Sequence, residues 1–107
     1  MMLEKLGIRS LLNKLRRIHP SHHQRRSIII RQMVTILDNW IARNDITNQE
    51  NLMALASVLE SISREDYYVY TELIKITRYP QVYRRAVNFM KWARLHKRLG
   101  GVLPTKF

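Results

Sequence analysis

Toward the end of the chain, Arg84, Lys91, Arg94 and Arg98 recur at helical intervals with Arg85 and Lys97 beside them, and no carboxylate follows Glu72. On a helix that turns about 100° per residue these four cations fall within roughly 80° of one another, and the first and last stand about 21 Å apart. Val82, Ala86, Phe89, Met90 and Ala93 lie on the other side. A cationic row of that length matches the backbone of a polyanion, because each Lys or Arg that meets a phosphate releases condensed counterions. The segment also lacks the Glu–Lys pairs that a merely solvated helix face carries. Trp92, at the border of the row, could stack on an unpaired base or pack against another helix.

A second cationic group, Arg16, Arg17, Arg25 and Arg26, flanks the stretch His19-Pro20-Ser21-His22-His23. Antiparallel packing of the flanking helices would gather these guanidinium groups and imidazoles at one elbow. Arginine is suited to bidentate phosphate contacts, and the first backbone N–H groups of a helix favour an anion.

Other chemistry finds little to stand on. With no cysteine in the chain, thiolate zinc sites, iron–sulfur clusters and cysteine nucleophiles are excluded. His19, His22 and His23 have no carboxylate at ligand spacing, so no metal is assigned. There is no glycine-rich phosphate loop, no Gly-x-Ser-x-Gly and no His-Glu-x-x-His, so neither catalysis nor a cofactor is expected.

The elements that must position these groups are all helices. Apolar residues recur every three or four positions and strand-like alternation is missing, which predicts an all-α, compact bundle of about five helices in a single domain spanning 1–107. Helix 1 is expected over Leu3–Ile18, weakened at Gly7 and ended by His19-Pro20. Ser21 with Gln24 would cap helix 2, His22–Asn44, with Ile29, Met33, Ile36, Leu37, Trp40 and Ile41 inward. Thr47 with Glu50 would cap helix 3, from Asn48, burying Leu52, Leu55, Ala56, Leu59 and Ile62.

After a turn at Ser61–Ser63, Ser63 with Asp66 would open helix 4, with Tyr67, Tyr70, Leu73, Ile74 and Thr77 inward and Tyr68 on the polar side. Its acidic first turn, Glu65-Asp66, has the wrong sign for a recognition helix that reads base edges. Helix 5 should run from Gln81 to Leu99, closed by Gly100-Gly101, and residues 101–107 read as a flexible tail.

The chain has 107 residues, 46% of them hydrophobic, and a formal net charge of +11. That charge is unevenly placed: residues 1–31 carry +7, residues 32–77 carry −4 and residues 78–107 carry +8. The acidic middle can neutralise only part of the basic ends, though it could fold inward and orient them. No apolar run approaches the roughly 18 residues of a membrane span. The pattern implies an intracellular, soluble nucleic-acid-binding protein, in cytoplasm or nucleus, that contacts DNA or RNA phosphates with little sequence preference. The rival is a non-enzymatic helical adaptor or inhibitor on an acidic protein partner or in a homodimer. A small, dense chain of this kind suits a virus, phage or mobile element.

Overall fold

The periodic apolar pattern becomes five α-helices within residues 6–98, the part of the chain that the computed structural model describes, with side chains as far as His96. They are α1 Ile8–Arg16, α2 His23–Arg43, α3 Gln49–Glu65, α4 Tyr67–Ile76 and α5 Pro80–Arg98, and no strand occurs among the described residues. The start of the expected first helix at Leu3, the Gly100-Gly101 closure and the tail lie outside them. α1 lies on α2, α5 runs along α3, and α4 packs against α2, α3 and α5.

Local chemistry sets the helix ends, and at three of them it differs from what the spacing predicts. Gly7 adopts φ 76°, a left-handed conformation that glycine takes without steric cost, and α1 starts at Ile8. Ser21 does not cap α2: its hydroxyl is hydrogen-bonded to His19 Nδ1 at 2.7 Å, inside the turn after Pro20, and the helix starts one residue later from His22. Thr47 does not cap α3, because both its N–H and its hydroxyl donate to Asp45 Oδ1. Asn48 caps it instead, accepting from the N–H groups of Glu50 and Asn51.

The third difference has the largest consequence. No turn forms at Ser61–Ser63; the Ser61 hydroxyl donates back to the Ser57 carbonyl at 2.9 Å and α3 continues to Glu65. Asp66 alone separates α3 from α4. Its extended backbone (φ −156°, ψ 98°) stops one helix, and its carboxylate accepts from the N–H groups of Tyr68 and Val69, at 3.1 and 3.2 Å, to start the next. The displaced start rotates α4, so that Val69 and Leu73 are fully buried while Tyr67, expected inside, is 63% exposed.

Leu37, Leu55, Leu59, Ile62, Leu73, Tyr83 and Phe89 form the centre of the core, each contributing about 1.5–3 kcal/mol by leaving water. Tyr83 was not foreseen there; Ile36, Trp40, Val82 and Met90 are only half-buried at its edge. One charged residue is buried with them. Asp38 of α2 accepts the Thr77 hydroxyl at 2.6 Å and the Arg78 N–H at 2.9 Å, with the Tyr83 hydroxyl 3.5 Å away. A carboxylate removed from water must be met by such donors, and these belong to the turn between α4 and α5. Asp38 thereby ties the turn that starts α5, the helix of the cationic row, to α2. Burial raises the Tyr83 pKa; the Thr77 hydroxyl opposes that shift and the Asp38 charge adds to it.

Candidate functional site

The end of α3 gathers both basic segments. Glu65 pairs with Arg9 and, at 2.9 Å, with Arg16 of α1. Asp66 meets Arg26 of α2 at 3.4 Å, and the same guanidinium donates to the Leu15 carbonyl at 3.3 Å. Glu60 takes Arg64 at 3.0 Å and also Arg94 of α5. The acidic middle does fold inward, and this corrects two expectations. The α5 row has no acid of its own, but α3 supplies one to Arg94. At the elbow, Arg16 and Arg26 are paired with carboxylates; Arg26 is half-buried, and Arg16, Arg17 and Arg25 are exposed.

Part-exposed ion pairs of this kind contribute only about 0–1 kcal/mol each. Their effect is positional, and a phosphate can compete for the same guanidinium groups.

Above Glu60, α3, α4 and α5 enclose an open groove of about 510 Å3, within the roughly 300–1,000 Å3 of small-molecule sites. Leu59, Ile74, Val87 and Met90 line it with apolar surface, and Tyr67 and Tyr70 line it with aromatic rings. The two tyrosine rings are 6.0 Å apart and tilted by 41°. Arg64, Lys91 and Arg94 bring three cations to the groove and Glu60 one carboxylate. Partial burial raises the Tyr70 pKa and Tyr67 adds to the shift, whereas the positive charge of Arg84 pulls it the other way.

Of the residues picked from sequence, Lys91 and Arg94 meet at the groove, and Arg84 is exposed on the same helix. Arg85 is half-buried and engaged in contacts of its own. Trp92 is half-buried with its ring 4.5 Å from that of His96, and it does not line the groove. The side chains of Lys97 and Arg98 lie outside the described residues.

Sequence reasoning missed Arg64 and the exposure of Tyr67. The signal for Arg64 was present: it is the only base between Asn44 and Ile74, four residues after Glu60 and three before Tyr67. Among the described residues no three His, Asp or Glu come together to hold a metal ion, and no helix is long and apolar enough to cross a membrane.

The fold and the site define a small all-α domain with a cationic, tyrosine-lined groove. No family model matches the chain, and neither a curated protein nor a solved structure matches it.

Proposed function

We propose that this chain is a non-enzymatic nucleic-acid-binding protein that holds DNA or RNA mainly by its phosphates, with little sequence preference. The α5 face of Arg84, Lys91 and Arg94 is the principal contact, and Arg17 and Arg25 at the elbow extend it. The observation that carries this reading is how the acids are used. Glu60, Glu65, Asp66 and Glu72 are all engaged in ion pairs and Asp38 is buried. With 19 bases against 8 acids in the chain, a large positive surplus remains for an external polyanion.

Fluorescence anisotropy with labelled duplex and single-stranded DNA and RNA tests the proposal. About six phosphate contacts give a log–log salt slope near −5 on duplex DNA. The combined variant Arg84→Gln, Lys91→Gln, Arg94→Gln should lose most binding while keeping its helical circular dichroism. Affinity that does not change with salt, or that survives in this variant, would overturn the reading.

One observation favours a second reading, an adaptor that docks on a protein. Between α1 and α2 an apolar groove of about 700 Å3 leaves Ile28 59% exposed beside Leu11 and Ile36. A stable dimer or protein complex in sedimentation, with no nucleic acid bound, separates this reading from the first.

A further inference from the structure

We infer that the α3–α4–α5 groove is a stacking site for an unpaired nucleobase, so that the preferred ligand is single-stranded nucleic acid. This rests on the phosphate-binding reading and adds to it the strand form that the groove selects.

Tyr67 is the central observation. A tyrosine at the first position of α4 with 63% of its surface exposed lines a groove instead of filling the core. Tyr70, 6.0 Å away and half-buried, supports it from one side. Tyrosine offers a rigid π-surface to which any base can be applied, with the hydroxyl left wet. Within a duplex both faces of a base are already stacked, so away from the duplex ends only an unpaired base can lie on such a ring.

The charges around the ring fit a strand on either side of that base. Arg64 is on α3, Lys91 and Arg94 are on α5, and all three line the groove that holds the ring. Phosphates flanking a stacked base therefore meet cations from two helices. Glu60 lines the same groove, with 23% of its side chain exposed, and is bound to both Arg64 and Arg94. Its carboxylate holds both guanidinium groups beside the ring and can accept an N–H from a base edge. This combination of aromatic surface and cationic track is how sequence-tolerant single-strand sites are built.

The experiment compares a labelled oligo-dT, an oligo-U and a duplex of equal length, with the wild-type chain and with Tyr67→Ala, Tyr67→Phe and Lys91→Gln. Tyr67 is exposed, and unchanged helical circular dichroism verifies that each variant folds. Tyr67→Ala should weaken single-strand binding roughly tenfold, the loss of one stacked base, and leave duplex binding unaltered. Tyr67→Phe should retain it. The salt slope should not change in Tyr67→Ala, since no phosphate contact is lost, and should fall by about 0.7 on single strands in Lys91→Gln.

Equal affinity for duplex and single strands, with no effect of Tyr67→Ala, would overturn the stacking site and leave the phosphate reading standing. Competition by inorganic polyphosphate, which has no bases, as strong as that by oligo-dT would overturn the stacking site in the same way. Binding of an acidic peptide with no binding of any nucleic acid would overturn both.

Discussion

Replacing Asp38 by alanine should destabilise the fold by about 3 kcal/mol. The carboxylate accepts two short hydrogen bonds, from the Thr77 hydroxyl at 2.6 Å and from the Arg78 N–H at 2.9 Å. Thr77 is only 8% exposed, so its hydroxyl has little access to water as a substitute. Each donor left without a partner costs about 1–3 kcal/mol. Removing the buried charge recovers some desolvation energy, which holds the sum near 3 kcal/mol rather than at the upper limit. For a domain of this size each kcal/mol moves the melting temperature by about 4–8 °C, so Tm should fall by roughly 12–24 °C.

Urea denaturation followed by circular dichroism reads this directly, and Thr77→Val closes a double-mutant cycle. Asp38→Asn keeps the shape but only one acceptor, and should fall between wild type and alanine. The two single losses should not add, with a coupling of about 1–2 kcal/mol between Asp38 and Thr77. A loss below about 0.5 kcal/mol for Asp38→Ala, the range of ordinary surface changes, would refute the role given to the carboxylate. So would strict additivity with Thr77→Val.

Two further outcomes follow from the same geometry. Asp66→Ala removes the cap of α4 and should cost about 1 kcal/mol in urea denaturation, whereas Asp66→Asn keeps the capping oxygen and should restore most of it; equal losses would assign the effect to the Arg26 ion pair instead. At alkaline pH, the fold should weaken through Tyr83, whose pKa folding holds above the ordinary value near 10. The unfolded chain releases that proton first, so the stability is complete below about pH 10 and is lost as the pH rises above it. Tyr83→Phe should flatten that alkaline loss, with a smaller part left from Tyr70, and a curve that overlays the wild type would contradict it.

The sequence by itself determined the all-α class, the apolar faces of α2, α3 and α5 in outline, and the exposure of Arg84, Lys91 and Arg94 opposite the last of these, because each is a local repeat. A side chain four residues along a helix returns to the same side whatever the rest of the chain does. Helix ends were less legible for a reason that is also physical. Thr47 and Asn48, or Ser63 and Asp66, are all competent caps, and local chemistry separates them by no more than a few tenths of a kcal/mol. Packing chose between them, and the choice of Asp66 turned Tyr67 out of the core and into the groove.

Only the tertiary structure decided which charges meet. Arg9 and Glu65 are 56 positions apart, Arg26 and Asp66 are 40, and Asp38 reaches Thr77 across 39. No periodicity reports such distances. The acidic middle, whose sign the sequence shows but whose partners it does not, became the clasp that holds both basic ends. The cations at the groove come from two helices that touch only after the chain has folded.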